Sequence, residues 1–392
     1  RILLLGARGQ LGRALFSALN HDCPYWQVVA LGRDECDIAD PSSLTDALNR
    51  HRPDVIINSA AYTAVDRAQG EPELAERINH GAVLSLAQSK GEGALLVHFS
   101  TDYVLDGTGI RPWAETDKPN PLNVYGVSKY EEDQAIQALC PDHLIFRTSW
   151  LYGSEGPDFA QTILNRAREG VPFQVVSDQW GSPTQVHWLA RTEVLALEWV
   201  LSESVLVACI IDMPGGDKLD GFASALVREA CRLGLLMHSV PVNPIQSANW
   251  PQTARRPLNS RLDCRLFSTV FGISLPSWQE QMTIWLASQD ADLGARDVHP
   301  FHEKSLTTQW SLMIQWKGIT HAGGLATLLY PVTLAISKNG CPSTTSGILP
   351  LPILRPGDIN DILIISTPLN LPRFESLLKD DNQWSIRFSY VA

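Results

Sequence analysis

Along the first 150 positions, apolar residues fall into short continuous runs separated by stretches where they recur every three or four positions. The runs Ile2–Leu5, Gln27–Leu31, Val55–Asn58, Leu95–Ser100 and Leu144–Thr148 are too apolar for a half-exposed strand, and their continuity predicts strands buried on both faces. Between them, Gln10–Leu19, Ser42–Asn49 and Glu73–Lys90 carry the helical period. Strands alternating with helices predict an α/β fold with a doubly wound parallel sheet of the Rossmann type over residues 1–150. A proline-bearing loop, Thr116 to Pro121, precedes a further helix. Over residues 151–286 helical patterns predominate, broken by Pro157, Pro172, Pro183 and Pro214, which predicts a smaller, mainly helical second domain. Later segments of it can return to the first sheet. Residues 287–310 are weakly periodic and read as a linker. Residues 311–392 read as a partial α/β fragment whose clearest strand is Asp361–Ile365.

Composition narrows the function classes. The chain has 392 residues, 44% hydrophobic and 19% charged, with a net charge of −11. That is a globular balance, and the acidic total argues against nucleic acid as a partner. Seven cysteines, an odd number without a C-x-x-C pair, suit a reducing compartment. The most apolar long window, Val194 to Met213, is interrupted by Glu198 and Glu203, so it predicts a core helix followed by a strand, not a membrane span. With no apolar signal segment near Arg1, a cytoplasmic location is expected.

Candidate chemistry begins at Gly6-Ala-Arg-Gly9-Gln10-Leu11-Gly12, which follows the first strand and opens a helix. Such a turn lets backbone approach a pyrophosphate and aims helix N–H groups at it, as in NAD(P) sites. The second strand ends in Leu31-Gly32-Arg33 without an acid for the ribose 2′-hydroxyl, and Arg33 suits a 2′-phosphate. NADPH is therefore favoured, with NADH open. Asp37 and Ile38 would flank the adenine. The small residues Ala60 and Ala61, with Tyr62, would leave room for adenosine and pyrophosphate at a strand's carboxyl end. Tyr125-Gly-Val-Ser-Lys129 places a phenol and an ammonium on one helix face, where the cation can stabilise a phenolate. Thr101, at another strand end, can hydrogen-bond a substrate carbonyl. Asp102 can hold a sugar hydroxyl, and Trp150 can present its indole to a sugar ring. Arg255, Arg256 and Arg261 concentrate guanidinium groups suited to a diphosphate. His299-x-x-His302-Glu303 lacks further ligands nearby, and no metal site is assigned.

Taken together, GARGQLG, RPDVIINSAAYTAVDRAQGEPELA, HFSTDYVLDGTG, PLNVYGVSKYEED, HLIFRTSWLYG, SDQWGSPT and RRPLNSRLDCRLF make residues 1–286 resemble the dTDP-4-dehydrorhamnose reductase family of extended short-chain dehydrogenases. The resemblance implies NAD(P)H-dependent reduction of a dTDP-4-keto-6-deoxy sugar to dTDP-L-rhamnose. Within it Tyr125 is the proton donor, Lys129 its partner and ribose ligand, and Thr101 the carbonyl-orienting residue. It also implies substrate contacts at Thr101, Asp102 and Trp150 and cofactor contacts at Gly9–Leu11, Asp37, Ile38 and Ala60–Tyr62. Some members form a magnesium-linked dimer through a glutamate whose place here is Ala14, so the expectation is a monomer or weak homodimer without Mg2+ by that route. Related dehydratases resemble one another in a Thr-Asp-Glu run, and Tyr103 stands at its glutamate place. The rival readings are another sugar-nucleotide epimerase or dehydratase and a non-catalytic, cofactor-binding regulatory subunit.

The tail has a second likeness. Trp316-Lys-Gly-Ile-Thr-His-Ala-Gly-Gly-Leu-Ala-Thr-Leu-Leu-Tyr-Pro331 and the segment from Asp361 to Tyr390 resemble the beginning of glucose-1-phosphate thymidylyltransferase. Ala326 replaces the third glycine of that enzyme's loop, and Leu328 replaces its arginine. Nucleotidyl transfer by residues 311–392 is therefore not expected, and the fragment reads as a vestige fused to the reductase.

Overall fold

The computed structural model describes residues 1–91, 93–203, 209–210, 215–289, 318–322, 361–366 and 387–391. His299, His302 and Glu303 of the expected linker, and Ala326 and Leu328 of the tail, lie outside them. Two compact units divide the chain, Arg1–Pro300 and Phe301–Ala392.

The first unit opens with β1 (Ile2–Leu5), α1 (Gln10–Asp22), β2 (Val28–Leu31), α2 (Pro41–His51) and β3 (Val55–Asn58). Next come α3 (Val65–Gly70), α4 (Pro72–Glu76), a π-helical turn (Arg77–Gly81), α5 (Ala82–Ser89) and β4 (Leu95–Thr101). A 3-10 turn (Asp102–Val104) leads towards α6 (Val124–Leu139) and β5 (His143–Thr148). The periodicity of Glu73–Lys90 predicts one helix, yet the structure breaks it at the π turn. There Asn79, fully buried, accepts from the Tyr62 N–H and donates to the Ser128 hydroxyl. Those tertiary bonds hold an extra residue in the turn.

Beyond β5 lie β6 (Leu151–Tyr152), α7 (Phe159–Arg168), β7 (Phe173–Val176), β8 (Trp180–Gly181), β9 (Thr184–Gln185) and α8 (Val186–Glu203). They are followed by β10 (Cys209–Ile210), β11 (Asp217–Lys218), α9 (Leu219–Arg232), β12 (Val242–Ile245), α10 (Arg265–Phe271) and α11 (Trp278–Ala287). Among the described residues no helix is long and apolar enough to cross a membrane.

The main sheet runs β10-β5-β4-β3-β1-β2, every pair parallel. Its two faces explain the continuous apolar runs. Ile2, Leu4, Val55, Ile57, Leu95, Val97, Leu144 and Phe146 point into one core with α1, α7, α8, α9 and α11. The alternate residues Leu3, Leu5, Ile56, Leu96 and Ile145 point into another with α2, α5 and α6. Each fully buried Leu or Ile contributes about 1.5–3 kcal/mol. β10 comes from the second half of the chain and pairs with β5, so part of that half completes the first sheet. Strand order reverses between β1, with β2 on its outer side, and β3, which opens a crevice at their carboxyl ends.

One core position runs against the fold. Glu193 of α8 is 3% exposed, and neither carboxylate oxygen has a hydrogen-bond partner. Burial alone pushes its carboxyl well above the usual range. The folded state therefore keeps this proton longer than the unfolded chain. Its burial thus costs least below the unfolded value of about 4.3, and the penalty grows as pH rises towards the folded one. Glu193→Leu is expected to stabilise the chain at pH 7 by about 1–3 kcal/mol. The gain should shrink at pH 5, as measured by urea unfolding; an equal gain at both pH values would mean that ionisation is not the cause.

In the second unit, β13 (Gly318–Ala322), β14 (Asp361–Ser366) and β15 (Arg387–Val391) form a parallel three-stranded sheet in that order.

Candidate active site

The glycine turn is built by close approach. Gly6 has φ +75, and a methyl group there would lie 2.6 Å from the Ala60 nitrogen. A methyl at Gly12 would lie 2.2 Å from the Gly6 carbonyl oxygen. Gly9 is the N-cap of α1, without a side-chain cap, so the first N–H groups of this 13-residue helix face the crevice between β1 and β3. The backbone of Gln10, Leu11 and Gly12 lies at that helix start. The Gln10 amide is engaged elsewhere, donating to Asp158 at 3.0 Å. Ala60 lies against Gly6 of the turn, with Ala61 and Tyr62 following it after β3; the Tyr62 hydroxyl donates to Glu71.

At the end of β2 the side chains are arranged differently from the sequence reading. Glu35 folds back to accept from the Gly32 N–H at 2.8 Å, so a carboxylate does return to the strand end. Arg8, from the glycine turn, crosses Gly32 where a side chain would otherwise stand, and pairs with Asp34 and Glu35. Arg33 is three-quarters exposed, with Asp37 at 3.3 Å. Asp37 also accepts from the Ala39 N–H. Ile38 is 7% exposed and packs in the core on the α2 side of the sheet. Arg8 escaped the sequence reading although it sits inside the motif, because its reach across Gly32 depends on the sheet.

Thr101 and Tyr125 approach one another, and Lys129 stands one turn beyond Tyr125 on α6. Thr101 ends β4, and Tyr125 is the second residue of α6, whose N-cap Asn123 accepts from the Gly126 N–H at 2.8 Å. The Thr101 hydroxyl lies close enough to the Tyr125 phenol to bear on its proton. Thr101 also donates to Asp102 and accepts from the Tyr103 N–H. The Tyr125 ring is 8% exposed and meets the edge of Tyr103 at 5.6 Å. Burial pushes the Tyr125 phenol up from its ordinary value; the charges of Glu132 and Asp102 and the Tyr103 hydroxyl add to this, and the Thr101 hydroxyl opposes it.

Lys129 is 2% exposed. Its ammonium donates to the Phe99 carbonyl at 2.6 Å and pairs with the fully buried Glu132. The same Glu132 oxygen takes the His98 imidazole at 2.7 Å, and His98 bonds Asn58 at 3.2 Å. Asp133 accepts from Ser100 and lies 3.4 Å from Arg147. His98 and Glu132 are members of the site that the sequence reading missed. Glu132 was within reach of it, three positions beyond Lys129 on one helix face.

Asp102 is buried, accepts from the Thr101 hydroxyl through Oδ1, and its other oxygen, Oδ2, has no partner. Burial pushes its carboxyl up to about 6. Trp150 has a left-handed backbone, φ 44, which lays its indole on Gly181 so closely that a methyl there would meet the ring at 2.2 Å. The three arginines do not converge. Arg255 is exposed without a side-chain bond to a described residue. Arg256 makes a two-pronged pair with Asp66, at 2.6 and 3.1 Å. Arg261 stacks 4.9 Å from the Trp180 ring centroid and bonds Asn259 and the Ile110 carbonyl. Ala14, 1% exposed, faces the core and offers no metal ligand.

Comparison with known proteins agrees with this geometry. The RmlD substrate binding domain matches residues 1–290, and the nucleotidyl transferase family matches residues 317–392. The dTDP-4-dehydrorhamnose reductase of Salmonella typhimurium is 39% identical over 284 residues, covering 71% of this chain and 94% of that protein. Its counterpart from Escherichia coli K12 is 38% identical with the same coverage. The crystal structure of the Bacillus anthracis dTDP-4-dehydrorhamnose reductase in complex with NADP superposes with a TM-score of 0.67 at 30% identity, over 74% of this chain and 99% of that one. UDP-glucose 4-epimerase of Thermus thermophilus, at 18% identity and a TM-score of 0.60, shares the fold. A family match over residues 1–290 and relatives covered almost end to end mean that the chain belongs to the RmlD family of dTDP-4-dehydrorhamnose reductases.

Proposed function

We propose that the chain reduces the 4-keto group of dTDP-4-dehydro-L-rhamnose with NADPH, giving dTDP-L-rhamnose. The observation that carries this is the approach of Thr101, at the carboxyl end of β4, to Tyr125, at the start of α6, with Lys129 one turn further along that helix and a glycine turn shaped for a pyrophosphate. Bound NADPH supplies a hydride to the carbonyl carbon. Thr101 orients the carbonyl oxygen, and Tyr125 gives that oxygen its proton as the carbon–oxygen double bond becomes single. The phenolate recovers a proton from water, so ketone, NADPH and one proton become alcohol and NADP. Asp102, with its unpartnered oxygen, takes a sugar hydroxyl, and the Trp150 indole forms a wall for the ring. Arg255, exposed and uncommitted, is the best placed of the three arginines for the diphosphate, since Arg256 and Arg261 already hold Asp66 and Trp180.

The test is NADPH oxidation by the full chain with the dTDP-4-keto sugar. Steady turnover that yields dTDP-L-rhamnose supports the reading. Cofactor binding without turnover would favour a regulatory subunit.

For the cofactor's 2′-phosphate, Arg8 and Arg33 flank the end of β2. Removing either is expected to raise the Michaelis constant for NADPH about tenfold relative to NADH, the loss of one charge-assisted hydrogen bond. Equal effects on both cofactors would remove that residue from the phosphate site.

A further inference from the structure

We propose that Glu132 is a positioning residue which, by pairing with Lys129, keeps Tyr125 in the protonated form that a reductase needs. The inference rests on the reductive reading above and deepens it.

The starting point is where Lys129 stands. Four residues from Tyr125 on one helix face, an uncompensated ammonium would stabilise the phenolate and favour proton acceptance, the direction that serves alcohol oxidation. In this chain the ammonium is compensated. Glu132 is fully buried, one of its oxygens holds both Lys129 and His98, and its other oxygen has no partner. The carboxylate is thus held in place from β4 by His98, itself fixed by Asn58 of β3, and from its own helix by Lys129.

The charged and titratable groups around Tyr125 can be named element by element. Lys129 and Glu132 share its helix. Asp102 and Tyr103 face it from the 3-10 turn and Thr101 adjoins it from β4, while Tyr62, packed beside it, donates to Glu71, which pairs with Arg67. Asp66 and Arg256 pair with one another on the far side of Tyr103. Asp133 and Arg147 face one another beyond Glu132. Among these groups Lys129, Arg256 and Arg147 each stand against a carboxylate, Glu132, Asp66 and Asp133. The direction in which the phenol is pushed agrees, with Glu132 the largest of the charges that raise it.

A proton donor must start each turnover protonated. The Glu132–Lys129 pair would therefore extend reduction to alkaline pH and leave the reverse oxidation weak near neutrality. His98 bonds Glu132 on one side and Asn58 on the other, so its part is orientation of Glu132.

Two measurements test this. The phenolate absorbance of the NADPH-bound chain, minus that of its Tyr125→Phe variant, reports Tyr125 directly and needs no turnover. In Glu132→Gln, read against its own Tyr125→Phe partner, the Tyr125 transition is expected to fall by about one pH unit or more. The alkaline limb of kcat/KM for reduction should fall with it. A folded Glu132→Gln whose transition and limb stay where the parent has them would overturn the proposal and leave Glu132 a structural residue. Should that variant fail to fold, the parent alone decides. Its limb and transition are expected at or above the free tyrosine value of about 10, and a parent transition near 7 would overturn the idea. Absence of turnover with the expected absorbance shift would count against the reductase reading while supporting the role of Glu132.

Discussion

Tyr125→Phe is expected to lower the reductive kcat by about 10²–10⁴-fold, the contribution of one positioned general acid, while NADPH binds almost as before. The local packing makes this a clean deletion. The ring lies among Ala68 and Ala75, with Tyr62, Val65, Tyr103 and Val124 around it, and phenylalanine keeps all of that surface. Loss of the hydroxyl does not strand Thr101, whose oxygen still donates to Asp102 at 3.0 Å and accepts from the Tyr103 N–H at 3.2 Å. The thermal midpoint should therefore stay close to that of the parent, so that lost rate cannot be charged to unfolding. Stopped-flow reduction with saturating NADPH separates the two effects. A variant within a few-fold of the parent rate would remove Tyr125 from the chemistry and pass the proton to another donor, with Asp102 the nearest candidate.

Much of the first unit was legible because its signals are local. Continuous apolar runs gave strands within one residue at each end, since a strand buried on both faces must be apolar at every position. The glycine turn and the Tyr125–Lys129 spacing were equally readable, each lying within one turn of chain. What stayed hidden depends on distant partners. Nothing near Glu73–Lys90 announces the π turn, which is held by Asn79 bonds to Tyr62 and Ser128. Three guanidinium groups close in sequence looked like a clamp, yet Arg256 is captured by Asp66, 190 residues away, and Arg261 by Trp180. Glu132, which pairs with Lys129 inside the core, also went unread, because its burial depends on packing against His98 of β4.

The other large effect is expected at Gly126, next to Tyr125, and its sign is the informative part. In an ordinary helix, alanine in place of glycine stabilises by about 1 kcal/mol. Here a methyl at Gly126 would lie 2.2 Å from the backbone carbonyl oxygen of Tyr103 and 3.0 Å from the Pro121 side chain. Neither backbone can yield alone. The 3-10 turn carrying Tyr103 is tied to Thr101, and the first turn of α6 is held by the Asn123 cap, whose amide in turn donates to the Arg255 carbonyl. Gly126→Ala must then push the start of α6 away from β4, carrying Tyr125 off Thr101. Overpacking of this kind costs about 1–3 kcal/mol, which outweighs the gain in helix propensity and makes the variant less stable than the parent. Displacement of about 1 Å at a catalytic group costs about 100-fold in rate. The expected result is thus a lower unfolding midpoint together with a kcat reduced about 100-fold. NADPH affinity should be nearly unchanged, because the glycine turn between β1 and α1 is untouched. A Gly126→Ala chain that is more stable and fully active would mean that α6 and the 3-10 turn do not approach as closely as this geometry requires. The placement of Tyr125 against Thr101 would then have to be redrawn.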